Sequence, residues 1–66
     1  MLTAEEVTNI ATEYLRKSYA ITQVKTANRI NNNWIVELDV GVFAEKVMRL
    51  TIDAEKGQIM KVEQIK

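Results

Sequence analysis

The sequence predicts an α+β domain in which one N-terminal helix packs on one face of a four-stranded antiparallel β-meander, in the order α-β-β-β-β. Three observations predict this fold. Residues 2–18 place apolar side chains at helical spacing. After residue 18 the apolar period changes to two, which is typical of half-buried strands. Three turn signals divide that second part, and a chain of 66 residues allows one domain, residues 1–66.

The predicted helix begins at a capping box. Thr3 is the N-cap and Glu6 follows three positions later, so each side chain can accept a hydrogen bond from the other's backbone N–H. Leu2 and Val7 have the spacing of a hydrophobic staple. The stripe that the helix turns toward the core is predicted to be Val7, Ile10, Ala11, Tyr14 and Leu15.

Strands are predicted at residues 20–30, 34–42, 46–53 and 58–65, with three-residue loops at 31–33, 43–45 and 55–57. Gly57 ends the last loop, at a position that often has a left-handed backbone. Asn33 is predicted to play that part in the first loop, because Asn tolerates the same conformation. The inward pairs expected from these loops are Ile30–Trp34, Val24–Val40, Leu38–Leu50, Val36–Ile52, Ile52–Met60 and Leu50–Val62.

The other sheet face, which a single helix cannot also cover, is predicted to carry rows of alternating charge. One row is Lys25, Asp39, Arg49 and Glu63; the other is Ala27, Glu37, Thr51 and Lys61. Such a face is either a solvated surface that fixes the strand register or a protein-docking surface. The candidate protein-contact residues are Ile35, Asp39, Val47, Arg49, Ile59, Glu63 and Ile65. The two outer strands also have unpaired edges that a partner or a second copy could extend.

Composition excludes several kinds of chemistry. The chain has no Cys and no His, which removes thiolate nucleophiles, imidazole bases and zinc-finger ligands. Glu37 and Asp39 point to the same side of one strand, but cross-strand cations favour surface ion pairing over an acid/base or metal pair. Trp34 is interpreted as a core residue rather than a ligand-stacking one. We therefore expect no enzyme activity, no catalytic residue, no cofactor and no metal.

The balance of charges and the short apolar runs indicate which partners to expect. Nine basic residues balance nine acidic ones, so the electrostatic footprint of nucleic-acid binding is missing. The apolar runs are too short to cross a bilayer, and no membrane insertion is expected. The N-terminus lacks the features of a secretory signal, which indicates a cytoplasmic protein, or a cell-envelope protein if a leader has been removed. A core this small seldom supplies more than about 3–5 kcal/mol, so a protein partner or self-association is expected.

Three segments resemble the PepSY domain. They are Ala4-Glu5-Glu6-Val7-Thr8-Asn9-Ile10-Ala11-Thr12-Glu13-Tyr14-Leu15, Trp34-Ile35-Val36-Glu37-Leu38 and Leu50-Thr51-Ile52-Asp53-Ala54-Glu55-Lys56-Gly57-Gln58-Ile59. The last is similar to the family's "V-D-A-x-T-G-E-V", with Lys56 in place of Thr and Gln58 in place of Glu. The resemblance implies a non-catalytic binding or regulatory module, often inhibitory toward peptidases or appended to membrane and cell-envelope proteins.

A second resemblance is to gas-vesicle accessory proteins of the O type. Trp34-Ile35-Val36-Glu37-Leu38 and Val47-Met48-Arg49-Leu50-Thr51-Ile52-Asp53 are similar to their tryptophan-containing strand pair, although the family's proline-containing link and basic tail are absent. This resemblance implies a structural assembly accessory protein as the alternative function.

Overall fold

The computed structural model describes all residues from Met1 to Lys66 and has the predicted fold. Helix α1 spans Ala4–Arg16, and it is followed by β1 (Gln23–Ile30), β2 (Asn33–Asp39), β3 (Val47–Asp53) and β4 (Ile59–Gln64). The strands form one antiparallel sheet in the order β1-β2-β3-β4. The prediction of an α+β domain with a four-stranded meander is confirmed.

The N-terminus of α1 is fixed by the capping box that the sequence predicts. The Thr3 hydroxyl accepts a hydrogen bond from the Glu6 N–H at 3.2 Å, and the Glu6 carboxylate accepts one from the Thr3 N–H at 2.8 Å. The preceding residue ties the helix to the sheet: the Leu2 N–H donates to the Ala54 carbonyl at 2.7 Å, and its carbonyl accepts from Trp34 Nε1 at 3.1 Å. Both bonds set where α1 enters the fold.

The core lies between α1 and the sheet and is small. Only ten of the 66 residues are buried. Tyr14, predicted to face the core, is 43% exposed at the margin, because α1 lies mainly across β1 and β2. Trp34 packs against the core, as expected. The central cluster consists of Val7, Ala11, Leu15, Val36, Leu38, Val40, Leu50 and Ile52.

The first hairpin differs from the prediction because its loop has two residues rather than three. Asn31, not Asn33, adopts the left-handed backbone, with φ of 56°, and Ile30 pairs with Asn33. The predicted pairing of Ile30 with Trp34 is therefore wrong, and Ile30 is 58% exposed. A bulge between Val24 and Thr26 shifts the register again and places Val24 opposite Leu38.

The second hairpin has a longer loop than predicted, which shifts its register by two residues. Val36 pairs with Leu50, and Glu37 instead of Asp39 pairs with Arg49. Because a shift of two preserves the alternation, the predicted faces of β2 and β3 are retained while the predicted partners are wrong. Strand β2 ends at Asp39, whose carboxylate accepts hydrogen bonds from the backbone of the following loop.

The third hairpin is closest to its prediction. Gly57 has a left-handed backbone with φ of 73°, and the pairs Leu50–Val62, Arg49–Glu63 and Thr51–Lys61 are confirmed. A bulge between Thr51 and Ile52 then changes the register, so that Ile52 pairs with Ile59 rather than Met60. Met60 is consequently 61% exposed instead of lying in the core.

Candidate functional site

The sheet face opposite α1 is the candidate contact surface, and we call it the open face. Val36 and Leu38 of β2 are fully buried in the core, so the alternating residues Ile35 and Glu37 point to the opposite side of the sheet. The open face contains a shallow concavity of about 460 Å³. Its lining is Asn28, Ile30, Ile35, Glu37, Arg49, Thr51, Lys61 and Glu63.

Four charged side chains cross the concavity from β2 to β4, and we call them the charge ladder: Glu37, Arg49, Glu63 and Lys61. Arg49 donates from Nε to Glu37 Oε2 at 3.1 Å, and its Nη1 lies 3.8 Å from Glu63 Oε1. Lys61 Nζ lies 3.9 Å from the other oxygen of Glu63. Because the four charges cancel and all four side chains contact solvent, each ion pair contributes about 0–1 kcal/mol to stability.

The opposite end of the open face is crossed by the loop between β2 and β3. Asp39 Oδ1 accepts hydrogen bonds from the backbone N–H groups of Gly41, at 2.9 Å, and Lys46, at 3.4 Å. These donors favour the charged carboxylate and lower the pKa of Asp39 below its ordinary value. Asp39 therefore has a structural partner, namely the loop that follows it.

Glu45 in the same loop links the two edges of the sheet. Its carboxylate accepts from Lys25 Nζ on β1 at 2.7 Å and from Lys66 Nζ beyond β4 at 3.3 Å. The hydrogen bonds from Lys25 and Lys66 lower the pKa of Glu45, and the bond from Glu45 raises the pKa of Lys25. The predicted pairing of Lys25 with Asp39 is thus replaced by a pairing with Glu45. Lys46 Nζ points elsewhere and lies 4.8 Å from the centre of the Tyr19 ring.

The predicted contact residues are divided between these two ends. Ile35, Arg49 and Glu63 line the concavity together. Ile65 is 36% exposed beyond β4, next to Val47, to whose carbonyl its N–H donates at 2.9 Å. Their role in binding stays a prediction.

Two of the candidates are placed differently from the prediction. Val47 alternates onto the open face but is only 3% exposed at the end that the loop crosses, so it cannot be a free contact residue. Ile59 packs against the core, because the bulge in the third hairpin turns it toward α1. Sequence alternation could not reveal either change, since one depends on a loop and the other on a bulge.

Two apolar side chains in the loop between β2 and β3 are also exposed. Val42 and Phe43, at the tip of the β2–β3 loop, are 63% and 102% exposed. In the sequence these two residues form an apolar pair directly after Gly41, where a turn is predicted, and such a pair indicates exposed apolar side chains. On the other side of the sheet, a hollow of about 270 Å³ between α1 and β4 is lined in part by Tyr14 and Val62.

No group of three or more acidic side chains converges as a metal site. Every buried side-chain nitrogen or oxygen has a hydrogen-bond partner. The helix is too short and too polar to cross a membrane.

Comparisons with known protein families, with curated proteins and with solved structures found no match to this chain.

Proposed function

We propose that this chain is a non-catalytic protein-binding or regulatory module, similar to PepSY domains, and that its concavity on the open face receives the partner. The observation that carries the proposal is the composition of that concavity: Ile30 and Ile35 lie beside a charge ladder on the face that the helix leaves uncovered. Apolar side chains supply contact area, and neighbouring charges supply specificity.

The charge ladder suits this role because rearranging its solvent-exposed ion pairs costs little free energy. Arg49 is 39% exposed and is shared between Glu37 and Glu63. A partner carboxylate could replace one of these acids without leaving a buried charge unpaired, since all these groups already contact water. We therefore expect the partner to carry an acidic residue next to an apolar one.

Capture from an extract of the source cells, followed by a binding measurement with the purified protein, tests the proposal. Arg49→Glu should weaken binding about tenfold or more, because it changes a central charge of the surface. Ile35→Thr should weaken binding by removing apolar contact while keeping a β-branched residue in the strand. Glu13→Lys is the matched control, since Glu13 is 74% exposed on α1.

Equal binding by all these variants would contradict a contact through the concavity. So would the absence of any protein that distinguishes the wild type from Arg49→Glu. Recovery of a polymeric shell protein would instead favour the structural assembly function that the gas-vesicle resemblance implies.

A further inference from the structure

The outer edge of β4 presents unpaired backbone groups. β4 is the last strand of the sheet, and only β3 pairs with it. The Ile65 N–H donates to the Val47 carbonyl, so this position bonds toward β3. In an antiparallel ladder that direction alternates, which places the backbone N–H and C=O of Val62 and Gln64 on the free side.

This edge also exposes apolar side chains. Met60 is 61% exposed, and Val62 and Ile65 are each 36% exposed. A small chain with so few buried residues gains stability from covering such a strand. Both the backbone and the side chains of β4 therefore favour the addition of another strand.

Charge distinguishes between the ways in which two copies of β4 can pair. If two antiparallel copies meet with Lys61 opposite Lys61, or with Glu63 opposite Glu63, like charges face each other, which is destabilising. If the two-fold axis passes through Val62, Lys61 lies opposite the partner's Glu63, and the reverse pair forms on the other side of the axis. The residues with free backbone groups, Val62 and Gln64, then lie at hydrogen-bonded positions of the new ladder.

We propose that β4 pairs antiparallel with β4 of a second copy of this chain, with Val62 at the two-fold axis and Lys61 opposite the partner's Glu63. The result is a dimer with one continuous eight-stranded sheet. Lys61 and Glu63 keep their places on the open face, so the concavities of the two copies lie side by side. This dimer does not depend on the protein-binding function of the concavity.

The edge of β1 does not offer the same self-complementarity. Lys25 is already bound to Glu45, and the remaining charge on β1 is Arg29, which has no acidic neighbour on its own strand. The structure therefore favours a closed dimer through β4 over an open chain of copies through both edges.

Sedimentation velocity of single and mixed variants tests the register directly. The wild type should reach twice the monomer mass of 7.6 kDa as its concentration rises from micromolar to millimolar. Lys61→Glu alone and Glu63→Lys alone should each raise the dimer dissociation constant about tenfold or more, because attractive cross-strand pairs become repulsive. An equimolar mixture of these two variants should form a heterodimer, since opposite charges then face each other on both sides of the axis.

Matched controls separate this register from general charge effects. Glu55→Lys and Lys56→Glu make the same charge changes in the exposed turn before β4, and they should dimerise like the wild type. Ile35→Thr should also dimerise normally, so a failure of concavity binding and a failure of dimerisation are distinguishable. Circular dichroism should confirm that each variant is folded.

A backbone variant covers the case in which the charge variants do not fold. N-methylation of Val62 in a synthetic chain removes a hydrogen bond donor that points away from β3, and it should abolish the dimer while leaving the fold intact. A monomeric wild type throughout the concentration series would overturn the proposal. So would a mixture that stays monomeric, or an N-methylated chain that dimerises normally.

Discussion

The two faces of the sheet are stabilised by different interactions. On the face that α1 covers, Val36, Leu38, Leu50 and Ile52 are completely buried. On the open face, the corresponding positions of β2 and β3 are occupied by Ile35, Glu37, Arg49 and Thr51, all only partly buried, and their ion pairs contact water. Stability therefore depends mainly on the covered face, so side chains on the open face can change with little loss of stability.

The largest loss of stability is expected from truncating a buried side chain on the covered face. Leu38→Ala should lower the free energy of unfolding by about 2–5 kcal/mol, because Leu38 is fully buried and the surrounding core relaxes only partly around the cavity. Ile30→Ala is the matched control on the open face, and since Ile30 is 58% exposed it should cost less than about 1 kcal/mol. Urea denaturation measures both changes. Similar losses for the two variants would remove the proposed difference between the faces.

An intermediate effect is expected where the covered face meets the third turn. Gly57 has φ of 73°, and a Cβ there would approach Leu2 Cδ1 at 2.9 Å and Ile10 Cδ1 at 3.0 Å. Gly57→Ala should lower the free energy of unfolding by about 1–3 kcal/mol, because a left-handed backbone strains alanine. Lys56→Ala, one residue earlier and exposed, is the control and should change the urea midpoint little. If Gly57→Ala left the free energy of unfolding unchanged, the side chains of Leu2 and Ile10 would have to move aside without loss of stability, which would contradict this prediction.

The smallest effect is expected from the ionic groups at the loop end of the open face. The pKa values of Asp39 and Glu45 in the folded chain lie below the ordinary 3.8 and 4.5. At pH values of about 4 the unfolded chain therefore binds more protons at these two carboxylates than the folded chain does. Asp39 and Glu45 stabilise the fold fully above their unfolded pKa values, and this stabilisation is lost as the pH falls through their folded pKa values. The urea midpoint should decrease modestly between about pH 5 and about pH 3.

Glu45→Gln should make that decrease shallower, and Glu55→Gln, in the exposed third turn, should leave it unchanged. An identical acid profile for the wild type and Glu45→Gln would contradict a stabilising role for the Lys25–Glu45–Lys66 contacts. At alkaline pH the dependence of stability on pH has the opposite sign, because the group concerned is a lysine. Glu45 raises the pKa of Lys25 above 10.5, so this contribution is lost only as the pH rises through the folded value.

The order of the elements and the two faces of β2 and β3 were predictable because they depend on periodicity. The capping box, the order of the elements and the inward positions of Leu38 and Leu50 all follow from local spacing. The left-handed Gly57 and the pairing of Arg49 with Glu63 follow from a loop whose length is evident in the sequence.

The partners across β1, β2 and β3 were not predictable from periodicity, because loop length decides them. Asn31 and Asn33 are both capable of a left-handed backbone, and the structure uses the first. The two bulges add shifts that alternation alone cannot show, which is why Met60 and Ile59 exchange their expected positions. The predicted open face of β2 and β3 is thus confirmed, whereas the residues that β1 and β4 contribute to it depend on these local irregularities.

The close turn at Gly41 gives the β2–β3 loop an unusual sensitivity to one substitution. A Cβ at this position would overlap the carbonyl oxygen of Ala44 and would lie 2.9 Å from the Lys46 nitrogen. Any larger residue must therefore displace the loop from its present position against Asp39. We therefore expect a single added methyl group at Gly41 to weaken the contacts of Glu45 with Lys25 and Lys66 and to expose Val47 to water.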